Sequence, residues 1–124
     1  MKNDLKIIAE IAQGFEGNFT QSKLLINAAA KSGADYVKFQ LVYAKELSTT
    51  DYKYFKLFKN LEMEESKWKE LKEYAISLGI KLIFDVFGVM GLKTAENIGI
   101  ETVKVHGTDI TNLALLRDIE MSKI

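Results

Sequence analysis

The sequence predicts an α/β fold in which four strand–helix units build a parallel sheet with crossover helices. Two observations carry this reading. Strand-like and helix-like stretches alternate strictly, with no linker or low-complexity segment between them. A helix-ending glycine also precedes each of the last three strands at one distance: Gly33 lies five residues before Lys38, Gly79 five before Phe84 and Gly99 five before Lys104.

The elements follow in order. "LKIIAEIA" (5–12) is a β-rich run and the first strand. A polar glycine loop leads to "TQSKLLINAAAKSG", where Thr20 caps a helix and Gly33 ends it. "DYVKFQLV" (35–42) is the second strand. The long loop "YAKELSTTDYKYFKLFKN" reads as an amphipathic surface segment, and its length, beyond ordinary β-α loops, fits a substrate-covering role. In "MEESKWKELKEYAISLG", Trp68, Leu71, Ala75 and Leu78 fall on one helical face and Gly79 closes the helix. "KLIFDVF" (81–87) is the third strand, "GLKTAENIG" a short helix, "TVKVHG" (102–107) the fourth strand, and "NLALLRDIEMSK" opens the fourth helix.

Composition narrows the function classes. With 124 residues, 17 basic and 17 acidic side chains and 48% hydrophobic content, the chain suits one globular unit with a real core. Its zero net charge gives no global drive toward nucleic acid or a membrane surface. The absence of cysteine rules out a disulfide framework and a thiolate metal site and suits a reducing cytoplasm. The N-terminal stretch "MKNDLKIIAEIAQG" has too short an apolar run for a signal peptide or a span. "NFT" (18–20) matches the glycosylation sequon and, without a secretory signal, reads as chance.

Candidate chemistry comes from strand phase, because successive side chains point to opposite faces. Lys38 with Gln40, and Lys104 with His106, share the inward phase, while Val37, Phe39, Val103 and Val105 face the helices. Glu10 shares its face with Ile8 and Ala12. In the third strand, equal spacing from the glycine puts Phe84 in the lysine's phase and Asp85 on the opposite one, so Asp85 is left out of the site. Burying an ammonium without a partner costs several kcal/mol. A mid-strand lysine therefore needs either an ion pair, with Glu10 as the partner, or an anionic ligand. One carboxylate and two lysines from three strands, all in the later halves of those strands, read as a site for an anion. Competing roles stand beside this: Gln40 as an amide satisfied by neighbouring backbone, His106 as a hydrogen-bonded interior histidine, and Asp109 with Asn112 as a helix cap.

Four segments, "IIAEIAQGFEGNF", "AAAKSGADYVKFQ", "LEMEESKWKELKEYAISLGI" and "VKVHGTDITNLALL", occur in this order. Together, from about Leu5 to Arg117, they resemble the N-terminal half of the sialic acid synthase (N-acylneuraminate synthase) family. The resemblance implies the first half, (β/α)4, of a (β/α)8 TIM barrel. Residues 1–124 then form the N-terminal half of the synthase domain, without the second half or any C-terminal antifreeze-like domain. It implies condensation of phosphoenolpyruvate with an open-chain N-acylated amino sugar such as N-acetylmannosamine, with release of phosphate. It also implies a divalent metal, Mn or Mg, that polarises the sugar aldehyde and whose ligands lie in the missing half.

Carried onto this sequence, the resemblance makes Glu10 an orienting or proton-handling group and sets Lys38 and Lys104 to bind phosphate and carboxylate. Asp109 is the acid that follows the fourth-strand lysine. Glu10, Lys104 and Asp109 are thus the expected catalytic set, and Lys38, Gln40 and Thr108 the expected substrate-binding set. Two departures mark a divergent branch with its own sugar. Gly14 and Phe15 stand where the family has a polar pair such as Asn-His. Val105, His106, Gly107 and Thr108 stand where it often has Ser-Gly before the acid, which leaves Thr108 to supply the hydroxyl.

The implied partners are phosphoenolpyruvate and an N-acylated amino sugar, with neither nucleic acid nor membrane. Four β-α units leave sheet edges and an inner face open, so a homo-oligomer or a pairing with a missing half-barrel is expected. Two other readings remain: a Schiff-base aldolase-type barrel using Lys104, and a non-catalytic half-barrel that serves as a binding or assembly module.

Overall fold

The computed structural model describes residues 5–124. Met1 to Asp4, the opening of the N-terminal stretch read above as too short for a span, lie outside the described residues. The elements run β1 (Ile8–Ala12), α1 (Phe19–Lys31), β2 (Tyr36–Leu41), α2 (Ala44–Leu47), α3 (Phe55–Asn60), α4 (Glu65–Ser77), β3 (Lys81–Val86), α5 (Val89–Asn97) and β4 (Val103–Val105). A 3-10 turn (Gly107–Asp109) and α6 (Leu113–Met121) complete the chain. The strands form one sheet in the order β1-β2-β3-β4, and every neighbouring pair is parallel. Four parallel strands in sequence order, alternating with helices, are half of a TIM barrel. Among the described residues no helix is long and apolar enough to cross a membrane.

The local signals explain the elements. Asn18, not Thr20, caps α1: its extended backbone lets the side-chain oxygen accept the Gln21 N–H at 2.9 Å. Thr20 already lies inside the helix. Gly33, Gly79 and Gly99 all adopt φ between 71° and 82°, the left-handed conformation that ends a helix. On α4, Trp68, Leu71 and Ala75 are buried as the helical spacing predicts, but Leu78 is the C-cap and exposed, because the helix stops at Ser77.

The sheet's helix-side face carries the core. Val37, Phe39 and Leu41 of β2 and Leu82, Phe84 and Val86 of β3 are buried there. Trp68 stands at the centre, edge-on to Phe15 (5.4 Å), Phe39 (5.7 Å) and Phe84 (5.0 Å between ring centroids). Each such aromatic pair contributes about 0.5–1.5 kcal/mol beyond the burial of its area.

Strand register overturns three of the phase assignments. Lys38 pairs with Ile83, Gln40 with Asp85, and Asp85 with Lys104, so Asp85 lies on the lysines' face. Phe84 pairs with Phe39 and Val103 and belongs to the helix-side core. The reason is stagger: Gln40 lies seven residues past Gly33, Asp85 six past Gly79 and Lys104 five past Gly99. A shift of one residue per strand reverses the phase on every second strand, which is why alternate strands fill alternate layers in these barrels. In β1 the register slips between Glu10 and Ala12. Ala12, with φ 52°, comes to lie opposite Phe39 and leaves the face that Glu10 occupies.

The long loop after β2 is not open. It folds into α2 and α3 and is tied back by two glutamates. Glu62 accepts the Ala44 N–H at 2.9 Å, and Glu46 accepts the Met90 N–H at 2.8 Å at the start of α5.

Candidate functional site

The sheet's other face presents a row of polar side chains. Glu10 stands opposite Lys38, and Gln40, Asp85 and Lys104 stand opposite one another across β2, β3 and β4. The Lys38 Nζ lies 2.6 Å from Glu10 Oε2, with the lysine side chain 12% exposed and the glutamate 49%. The other glutamate oxygen accepts the Ala12 N–H at 3.1 Å, so the slip in β1 fixes the carboxylate that meets the lysine. Gln13 donates its amide to Gln40 Oε1 at 2.8 Å, which gives Gln40 a side-chain partner rather than a backbone one.

At β3 and β4 the arrangement is tighter. Asp85 has a side chain only 2% exposed, and its Oδ2 lies 2.8 Å from Lys104 Nζ and 3.0 Å from His106 Nδ1. Its Oδ1 is buried without a hydrogen-bond partner. A buried carboxylate is costly unless charge and hydrogen bonds offset its desolvation, and Lys104 of β4 and His106, just past the strand's end, do so. The Lys104 side chain is 43% exposed, so its stem reaches the carboxylate while part of it stays in solvent. The Phe87 ring packs on His106 with centroids 4.4 Å apart, pinning the imidazole between ring and carboxylate.

The remaining predicted residues sit on the turn after β4. Thr108 is exposed on the 3-10 turn. Asp109 is partly buried; its N–H bonds the His106 carbonyl at 2.9 Å, and its Oδ1 accepts the Asn112 amide at 3.0 Å. Asn112 in turn caps α6 by accepting the Leu115 N–H at 3.2 Å. Asp109 therefore orients the cap of α6 while standing directly after the lysine strand.

Glu10, Lys38, Gln40 and Lys104 thus share one face, as predicted, but as two ion-pair groups: Lys38 with Glu10, and Lys104 with Asp85. The residue missed from sequence is Asp85. Its signal was present, because a lone carboxylate inside the apolar run "LIFDVF" is rare unless paired or used.

Two further observations bound the site. A cavity of about 50 Å³ lined by Tyr36, Lys72, Lys81 and Glu101 lies at the opposite, N-terminal ends of the strands. There Lys81 and Glu101 form an exposed pair at 2.7 Å, and the lysine's hydrogen bond holds the Glu101 carboxyl below its ordinary value. That end of a barrel serves stability rather than chemistry. Among the described residues, no group of three or more His, Cys, Asp or Glu side chains could hold a metal ion, so the residues present do not fit a metal centre by themselves.

The NeuB family model matches residues 25–123. The chain is 32% identical to an N,N'-diacetyllegionaminic acid synthase from Campylobacter jejuni, over 96% of this chain and 40% of that protein. It is 28% identical to the N-acetylneuraminate-9-phosphate synthase of Mus musculus, over 93% of this chain and 36% of that protein. Among solved structures it superposes on the N-acetylneuraminic acid (sialic acid) synthetase of Leptospira borgpetersenii, crystallised with citrate, with a TM-score of 0.88 at 28% identity. That match covers 94% of this chain and 41% of the solved one. The chain spans 34% to 40% of the length of the curated relatives it matches.

Proposed function

Because this chain belongs to the NeuB family, matching its model over residues 25–123, we propose that it forms part of a phosphoenolpyruvate-dependent sugar-acid synthase. In this reading, residues 1–124 are the N-terminal half of the barrel, and the substrates are phosphoenolpyruvate and an N-acylated open-chain amino sugar. The products are a sialic acid-like sugar acid and phosphate. The observation that carries the reading is the pair of lysines, Lys38 and Lys104, on one face of the sheet, one and three strands from Glu10.

The residues divide the work by charge. Lys38 and Lys104 bind the phosphate and carboxylate of phosphoenolpyruvate through charge-assisted hydrogen bonds. Gln40, held by Gln13, offers its amide N–H groups to the ligand. Glu10 sets the position of Lys38 and handles protons at the sugar end. Asp109 and Thr108 contribute a carboxylate and a hydroxyl from the turn after β4. When bound, a divalent metal, Mn or Mg, would polarise the aldehyde; its ligands are not assigned to this chain. A cytoplasmic location and self-association, or association with a second half-barrel, belong to the same proposal. A Schiff-base role for Lys104 is disfavoured, because an ammonium ion-paired to a buried carboxylate is not a free amine nucleophile.

The test has two parts. Titrating phosphoenolpyruvate into the ¹⁵N-labelled chain is expected to move the Lys38, Gln40 and Lys104 resonances together. Phosphate release from phosphoenolpyruvate is expected to depend on an added N-acylated amino sugar once the rest of a NeuB-type barrel is supplied. Absence of binding at millimolar phosphoenolpyruvate overturns the reading, as does borohydride trapping of a keto acid on Lys104.

A further inference from the structure

Among the described residues, Asp85 is the only charged side chain in the buried set, and nothing in the proposed reaction uses it. Its geometry is lopsided. Oδ2 takes both the Lys104 ammonium and the His106 Nδ1, while Oδ1 takes nothing. An ionised carboxylate can only accept hydrogen bonds, so the His106 nitrogen 3.0 Å away must carry the proton. Lys104 supplies the positive charge that the buried carboxylate needs. A neutral imidazole with its proton on Nδ1 has its lone pair on Nε2. The ring is 28% exposed, backed on one face by Phe87, at the C-terminal end of β4 beside Lys104.

We propose that Asp85 is a positioning residue that holds His106 in its Nδ1–H tautomer, so that Nε2 acts as the acceptor for an O–H group of the ligand bound at Lys104. An isolated histidine side chain in water favours the opposite tautomer, so the assignment makes a distinct spectroscopic claim. The inference deepens the synthase reading by naming a proton-accepting atom. It rests on that reading only for the ligand's identity, and the tautomer stands or falls without it. It also gives the departure at "VKVHGTD" a chemical content: the carboxylate on β3 orients an imidazole that stands one residue past the end of β4.

His106 is the only histidine in the chain, so ¹⁵N-histidine labelling yields a spectrum with two ring nitrogens and no overlap. With the ring neutral, Nδ1 is expected to carry the proton and Nε2 to be bare. Asp85→Asn is expected to shift the population to Nε2–H or to a mixture. Lys104→Met retains Asp85 and is expected to keep a proton on Nδ1, with or without a second proton on Nε2; a bare Nδ1 in that variant overturns the proposal, which preserves the test if Asp85→Asn does not fold. Inorganic phosphate, used as the probe, is expected to move the Nε2 resonance more than Nδ1. An Nε2–H tautomer in the wild-type chain overturns the proposal, as does an Nδ1–H form that survives in folded Asp85→Asn. Phosphate that leaves Nε2 unmoved overturns the ligand-facing role. Loss of phosphoenolpyruvate binding with the tautomer intact counts against the synthase reading alone.

Discussion

Asp85 and Lys104 face each other across the β3–β4 register, with the lysine Nζ 2.8 Å from the aspartate Oδ2. The pair is asymmetric: the carboxylate is buried and the lysine side chain is partly in water. Removing the lysine leaves a buried charge with His106 as its one remaining partner, whereas removing the charge as well relieves the cost.

Lys104→Met is therefore expected to destabilise the chain by about 1–3 kcal/mol. Adding Asp85→Asn should recover part of that loss, giving a coupling energy of about 0.5–3 kcal/mol in the double-mutant cycle. Urea unfolding followed by the fluorescence of Trp68, the single tryptophan, measures it. Strict additivity would show that the ion pair is idle.

The aromatic cluster sets the size of the core's contribution. Phe39→Ala removes an edge-on partner of both Phe15 and Trp68 and is expected to cost about 3–5 kcal/mol. That is a large share of a domain stability of about 5–15 kcal/mol. Trp68 emission should shift to the red, reporting water at a ring that is otherwise buried.

Two glycines with the same backbone sign should respond differently to alanine. Gly17 has φ 70°, and a Cβ there would fall 1.9 Å from the Asn60 carbonyl oxygen, a backbone atom. Gly33 has φ 82° and no atom within 4 Å of such a Cβ. Gly33→Ala should cost about 1–2 kcal/mol for the left-handed conformation alone, and Gly17→Ala distinctly more. Equal thermal shifts would contradict the clash.

Acid should loosen the start of β1 before the core. The Ile7 N–H and then the Lys6 ammonium hold the Asp35 carboxyl below its ordinary value of 3.8. A depressed carboxyl stabilises the fold above the ordinary carboxylate range, and that contribution is lost as pH falls through its lower folded value. Asp35→Asn is expected to flatten the acid limb of the stability curve below about pH 4 and leave the neutral plateau's shape unchanged. An unchanged acid limb would remove Asp35 from the account.

Lys38→Met tests ligand binding apart from the Asp85 group. A charge-assisted hydrogen bond contributes about 1.5–3 kcal/mol, so phosphoenolpyruvate binding should weaken by roughly 10- to 150-fold. Calorimetry on the folded variant reads this directly. Unchanged affinity would confine Lys38 to its pairing with Glu10.

Much of this was legible in the residues, and each failure has a physical cause. Gly33, Gly79 and Gly99 mark helix ends by their chemistry, so alternation and element order followed from them. Lys38, Gln40 and Lys104 could be placed on one face because β2 and β4 sit two strands apart, where the stagger restores the phase. Asp85 and Phe84 were exchanged because the sequence carries the spacing from each glycine but not the shear between strands, which sheet closure sets. The cap at Asn18 was missed in favour of Thr20 because both residue types cap well and the backbone angles decide between them. The ion-pair partner of Lys104 depends on register alone, and no local pattern announces it.

Glu46 reaches from α2 to the N-terminus of α5, where its oxygens meet the Met90 and Gly91 N–H groups at 2.8 and 3.4 Å. A carboxylate there complements the helix dipole. It also rivets the excursion after β2 to the turn after β3, and that turn carries Phe87, the backing of His106. Opening of the α2–α3 segment is thereby coupled to the support of the imidazole. The two should exchange their amide protons as a single cooperative unit, the site breathing with a segment far from it in the chain.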